Sequence, residues 1–336
     1  MQRSIKSFIT FFLLSGSVFA CSVPVFRYAL ERWEQDLYPV FVFYDEKIGK
    51  ADIAKAKQLA ELAAKTRGAA GQLGTVQQNE PAANLSVTLV DVSEEVKGFA
   101  EMVWRVQEKP QLPWCVVRYP RRARVKEDIW AGPLGKAPVE ALVHSPKRTE
   151  IAGRLLKGES VVWVFMEGKS GRKNRKAFRT LKKGIDSSMA VLELPEMTED
   201  DIREYLSELR PDVRLSLGTV TVRKNEPAEK MFRRMLFSTE PLIAGKADEP
   251  AVFAFFGRGR SLYGLSGKGI SVGNILDANA FLTGPCACTV KGGNPGVDLL
   301  IRADWGVKTA EEIARDEPMP PLQGLEKFIE KDTRKN

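Results

Sequence analysis

Histidine occurs once in the 336 residues, at His144. Metal centres that need two or three imidazoles are thereby excluded, and a Ser-His-Asp triad could be built only around that residue. Beside Ser145 and Pro146 it reads as a surface or interface side chain. Cysteine is scarce too: Cys21, Cys115, Cys286 and Cys288 are too few for a disulfide-built scaffold. No Gly-x-x-x-x-Gly-Lys-Ser/Thr occurs, since Gly267-Lys268 is followed by Gly269. Gly257-x-Gly259 is without the third glycine of a dinucleotide fingerprint, so these glycines read as turn residues. Beyond the first 20 residues no stretch approaches the roughly 20 apolar residues of a membrane-spanning helix.

What is present begins with a leader. Arg3 and Lys6 precede a mostly apolar segment from Phe8 to Phe19, and Val18 and Ala20 occupy the small-residue positions of a signal-peptidase site. Export to the periplasm or cell envelope is the expectation. Val18-Phe19-Ala20-Cys21 resembles a bacterial lipobox, which makes Cys21 a lipid-attachment candidate and gives a route to membrane association. Ordinary cleavage before Cys21 is the alternative. Cys21-x-x-Pro24 also sets a thiol at a helix start, where thiolate is favoured, against the plainer readings of lipid anchor or disulfide half. The chain carries a net +8, two of it in the leader, a mild excess that favours anionic partners without singling out nucleic acid. With 43% hydrophobic residues it can build ordinary cores, and its length predicts two domains.

Apolar runs separated by amphipathic stretches give the order of elements. Residues 22–33 predict a helix entered through Pro24, with Phe26, Ala29, Leu30 and Trp33 buried. Strands follow at 38–44, 85–92, 114–119 and 129–131, with helices at 51–66, from Ser93 to about 106, and over 138–157. The plan then recurs: strands at 160–166 and 215–222, a hairpin at 251–265 turning at Gly257 to Gly259, and helices at 172–183, from Asn225, and from Ser271 to a stop at Gly284 and Pro285. A short strand-like piece at 189–194 and a helix capped by Thr198, with Asp201 three residues on, are extra material. The expected division is a leader over 1–20, units over 21–157 and 158–284, an extension over 285–307 packing on the second unit, and a loose charged tail over 308–336.

Strand, helix, strand, helix, strand, strand, helix, found twice, resembles the thioredoxin fold. The expected fold class is therefore α/β, with two tandem thioredoxin-like units in βαβαββα order plus a C-terminal Cys-x-Cys extension. The resemblance places Pro113 and Pro250, each ahead of a strand, where that fold has its cis-proline. Its catalytic Cys-x-x-Cys would lie where the first strand meets its helix, because a helix N-terminus lowers a thiol pKa. Those positions read Asp45-Glu-Lys-Ile-Gly-Lys and Glu167-Gly-Lys-Ser-Gly-Arg. Neither holds a cysteine, so dithiol exchange at the usual site is excluded.

Two features remain that could carry chemistry. Cys286-x-Cys288, alone or joined by Cys21, could share a soft metal or form a strained disulfide, against burial or a structural disulfide to Cys21 or Cys115. Lys169 to Lys183 holds Arg172, Lys173, Arg175, Lys176 and Arg179 among eight cations with no acid. Such a run can bind anionic lipid, polysaccharide or phosphate, or be only a solvated helix face. Arg121, Arg122 and Arg124 form a smaller cluster of the same kind. Without interleaved aromatics a nucleic-acid platform is not indicated.

CSVPVFRYALERW and GPCACTVKGGNPGVDLL resemble a group of uncharacterised exported bacterial proteins, which implies export and a shared architecture and names no activity. The leading expectation is a non-catalytic binding or assembly module of the cell envelope, needing no cofactor, whose partner is an envelope protein or an anionic surface. A thiol-redox or soft-metal protein using Cys286 and Cys288 is the alternative.

Overall fold

Apolar residues at helical spacing do form the first element, α1 (Val25–Arg32), which buries Phe26, Ala29 and Leu30. The computed structural model describes residues 22–67, 81–206 and 213–306. The leader, Cys21 and the 308–336 tail lie outside the described residues.

The run YPVFVFY becomes β1 (Tyr38–Tyr44), buried along nearly its whole length because it is central in a sheet covered on both faces. After it come α2 (Lys50–Glu61), β2 (Ala63–Arg67), β3 (Ala83–Asp91), α3 (Gly98–Arg105), β4 (Trp114–Arg118) and β5 (Asp128–Pro133). The sheet order is β2-β3-β1-β4-β5, with β1 parallel to β3 and antiparallel to β4. Val42 sits between Leu89 on one side and Cys115 on the other. Residues 63–66, expected to extend the alanine-rich helix, instead form an edge strand parallel to β3. Ladder pairing with the open side of β3 overrides the helical preference of that stretch. Nor does Ser93 cap a helix: its N–H and hydroxyl bond Asp91, and α3 starts only at Gly98.

The remainder comprises α4 (Val139–Val143), α5 (Pro146–Leu156), β6 (Val161–Met166), α6 (Gly171–Val191), α7 (Glu199–Tyr205), β7 (Leu217–Val222), α8 (Lys230–Thr239), β8 (Ala251–Phe256), β9 (Arg260–Ser266), α9 (Val272–Thr283), α10 (Cys288–Gly293) and β10 (Val297–Asp298). The second sheet has the order β10-β9-β8-β6-β7. Its strands β9-β8-β6-β7 repeat the relations of β5-β4-β1-β3, with β6 parallel to β7 and antiparallel to β8. The chain is thus α/β with two mixed five-stranded sheets. The strand-like piece at 189–194 is partly taken up by α6, which continues to Val191 because Gly184, Ile185 and Ser188 keep facing the core.

Two proline expectations separate here. The Leu112–Pro113 peptide is cis and leads into β4, whereas the bond before Pro250 is trans, so Pro250 is not a cis-proline.

The helices do not all pack where chain order suggests. Both α1 and α5, which precede residue 158, cover the second sheet. Trp33 and Phe26 of α1 join Trp163, Phe165, Leu181 and Ile275 on one face, while Ile151 and Leu155 of α5 join Val164, Phe232 and Phe253 on the other. The segment after β10 is likewise shared. Leu299 and Ile301 enter the second sheet's core, and Leu300 between them enters the first sheet's core. An extended chain directs alternate side chains to opposite sides, so three consecutive residues join both layers. The extension therefore does not belong to the second unit alone.

Candidate functional site

The two strand-to-helix corners come first. In the first, Ile48 is buried, its N–H bonds the Asp45 carbonyl at 3.2 Å, and the Lys47 N–H bonds Asp45 Oδ1 at 3.0 Å. In the second, the Gly168 N–H donates to Asn174 Oδ1 at 2.9 Å and the Lys169 N–H to the Asp248 carbonyl at 2.7 Å. The backbone of 248–250 lies so close that a Cβ on Gly168 would fall 2.4 Å from the Asp248 oxygen. Lys173 pairs with Glu249 at 2.5 Å, and Lys224 with Asp248. Each corner is a closed polar turn without a cysteine.

The thiols occupy three different environments. Cys115 lies inside β4, where burial pushes its thiol up to about 12, leaving essentially no thiolate at neutral pH. Cys286 is buried against α1 and α9, whereas Cys288 is exposed at the start of α10. Cys115 and Cys288 are not in disulfides, so no disulfide joins Cys286 to either of them. Among the described residues no three His, Cys, Asp or Glu side chains group as a metal site. His144 is exposed at the end of α4, and its carbonyl accepts from Arg148 Nη2. Neighbouring Ser145 caps α5 and donates its hydroxyl to Glu229 at 2.6 Å, which ties it into the scaffold.

The cationic run forms the first three turns of α6. Ser170 caps the helix by accepting from the Lys173 N–H. Ala177, Leu181, Gly184, Ile185 and Ser188 face inward, and a Cβ on Gly184 would lie 2.7 Å from Ile275, so α6 and α9 touch closely there. At 3.6 residues per turn, Arg172, Lys176, Arg179 and Lys183 fall on one line opposite that core face, with Arg175 and Lys182 beside it. These six and Lys173 are all exposed. Lys173 is engaged by Glu249, and among the described residues no acid pairs with the other six. The line spans about 16 Å. By contrast Arg122, of the smaller cluster, is bonded to Asp36 and to the carbonyls of Gly293 and Asn294.

A polar assembly between the sheets is not evident in the sequence. Arg260 Nε donates to Asp298 Oδ1 at 3.0 Å, its Nη2 pairs with both Asp298 and Asp36, and it stacks over Trp33. Burial, with the Asp36 charge adding to it and Arg260 opposing it, raises the Asp298 carboxyl above the usual carboxylate range. Asn84 accepts from the Ile301 N–H and donates to the carbonyls of Leu299 and Asp36. Arg148, fully buried, donates to the carbonyls of Leu142, Ala141, His144 and Leu300, and burial brings its guanidinium down to about 10. Every polar member is answered by another, which marks a structural joint. The helical spacing of exposed cations was readable beforehand; these buried charges read as ordinary surface residues.

A scan against protein-family models finds no match, and a search of the curated proteins finds none either.

Proposed function

We propose that this chain is an exported cell-envelope protein that works as a non-catalytic binding or assembly module on two thioredoxin-like units, and that it engages an anionic surface through α6. The thioredoxin-like reading is supported by the strand order β9-β8-β6-β7, which repeats β5-β4-β1-β3 with the same parallel and antiparallel pairs. A non-catalytic role is supported by corners that hold only closed polar turns. The observation that carries the binding role is the line Arg172, Lys176, Arg179 and Lys183, exposed and unanswered by any described acid. Cations held on one rigid helix face raise the local anion concentration, and their effect is screened by salt.

Retention on a heparin matrix tests this reading. The intact chain is expected to bind and to elute with rising salt, and the Arg172→Gln, Lys176→Gln, Arg179→Gln variant to elute much earlier. Equal elution of the two proteins would sink it. Export and the state of Cys21 are checked by mass spectrometry of the N-terminus of protein recovered from cells.

A further inference from the structure

The α6 cations belong to a larger surface. α6 and α9 lie side by side and run the same way, since Gly184 meets Ile275 and the Ser188 hydroxyl accepts from Asn279 Nδ2 at 2.8 Å. α1 packs at their C-terminal end: the Val25 N–H bonds the Gly284 carbonyl and the Cys286 N–H bonds the Val23 carbonyl. α7 adjoins it there, with Asp201 accepting from Ser22 Oγ at 2.5 Å and Tyr205 against Tyr28. At this end Met189, Val191, Ile202 and Phe281 are exposed, half of the large apolar side chains that the described residues leave in solvent. One layer therefore presents cations along the first three turns of α6 and uncovered apolar groups at the far end, where Met189 and Val191 lie on opposite flanks of the cation line.

We infer that this layer docks on an anionic lipid bilayer, with the α6 cations on headgroup phosphates and the apolar end in the interface. The inference rests on the proposed anion-binding role and names its partner. A small free anion is held by donors that converge, but these side chains are spread along a line. The backbone at the start of α6 is already engaged by Ser170, Asn174 and Asp248. A soluble polyanion or an acidic protein would use the cations and leave Met189 and Val191 without a role. A bilayer surface takes both kinds of group at once, phosphate above and acyl boundary below. Asp186 is exposed on α6 just past Lys183, Glu193, Glu196, Glu199 and Asp200 are exposed beyond the helix, and all five repel an anionic surface. The charge-driven part of the contact is therefore confined to the first turns, and the far end contributes apolar burial.

The test is co-sedimentation of the full chain with phosphatidylcholine vesicles and with vesicles that also contain phosphatidylglycerol, alongside heparin retention. Three variants are compared with the parent. The first is Arg172→Gln, Lys176→Gln, Arg179→Gln. The second is Met189→Gln, Val191→Gln. The third is a charge-matched control on the other sheet, Arg121→Gln, Arg124→Gln, Lys126→Gln. The leader is common to all four proteins and cancels in the comparison. The cation variant is expected to lose on the order of 100-fold in affinity for the anionic vesicles, at about one surface cation per several-fold. The apolar variant should lose roughly tenfold there and keep its heparin retention. The control should match the parent. An apolar variant that matches the parent on anionic vesicles, or a control that falls as far as the cation variant, overturns the inference. If the parent binds heparin yet shows no preference for phosphatidylglycerol, the bilayer falls and the anion-binding reading stands. Binding to neither ends both.

Discussion

The two sheets share the order of four of their five strands and differ in how they are covered. The second is clad on both faces: α1, α6 and α9 on one, α5 and α8 on the other, with apolar side chains from every helix. The first has a full core on the α2 and α4 face, but its opposite face fully buries only Phe41, Phe43, Val90, Val103 and Val116, with Trp104 and Trp114 among the half-covered groups around the single short helix α3. That helix leaves Phe99, Met102 and Val106 in solvent. The same backbone plan thus supports two degrees of burial, and the more heavily clad sheet carries the cationic helix. A charged face is held in place best where the helix beneath it is locked by packing on both sides.

This contrast can be broken most severely at the centre of the second sheet. Trp163 is fully buried and donates its Nε1–H to Asn279 at 2.9 Å. Trp163→Ala should cost ~3–5 kcal/mol, read as a fall in the urea midpoint. Almost as large is Arg260→Met, which leaves Asp298 buried without its cation and Asp36 with Arg122 alone; a loss of about 3 kcal/mol is expected, with the two sheets melting less cooperatively by calorimetry. On the thin face Val103→Ala should cost only about 1–2 kcal/mol. Hydrogen exchange should find α3 amides less protected than those of α6. Thiol labelling of the native protein should modify Cys288 within the time that leaves Cys115 untouched, and Cys115 should react only on unfolding.

The smallest effect concerns pH. Burial pushes Glu240 up to about 7, against the Gly264 N–H that favours its ionised form. Because the folded value lies above the ordinary carboxylate value of 4.5, its contribution to stability is full below that value and is lost as pH rises through about 7. Glu240→Gln should therefore flatten the decline of Tm between mildly acidic and mildly alkaline pH. An unchanged slope would show that the carboxyl is better solvated than its position beside Phe253 and Ile243 implies.

Much of this architecture follows from local signals. β1, β6 and β8 are uninterrupted apolar runs, Gly257 and Gly259 take the positive φ of 56° and 82° that turn the hairpin, and Thr198 with Asp201 forms the reciprocal cap expected of them. The α6 face was equally readable, since helical spacing alone sets Arg172, Lys176 and Arg179 on one line. What escaped was non-local. An apolar stripe states that α1 and α5 are buried but not against which sheet. Nothing in the sequence around residues 63–67 announces that β3 has an open side to fill. The Arg260, Asp36 and Asp298 joint is assembled from residues more than 200 positions apart at its extremes, each ordinary in its own neighbourhood.

The segment that runs from Val297 to Trp305 sets the order in which this molecule can be finished. Tyr38, Asn84 and Arg148 belong to the first half of the chain, yet each gives a hydrogen bond to a carbonyl between Asp298 and Leu300. A polypeptide interrupted before that point takes one acceptor from each of three donors and keeps an open seam where Leu300 should lie. Neither half is then a self-sufficient piece, and closure waits for a segment that follows β1 to β9 in the chain.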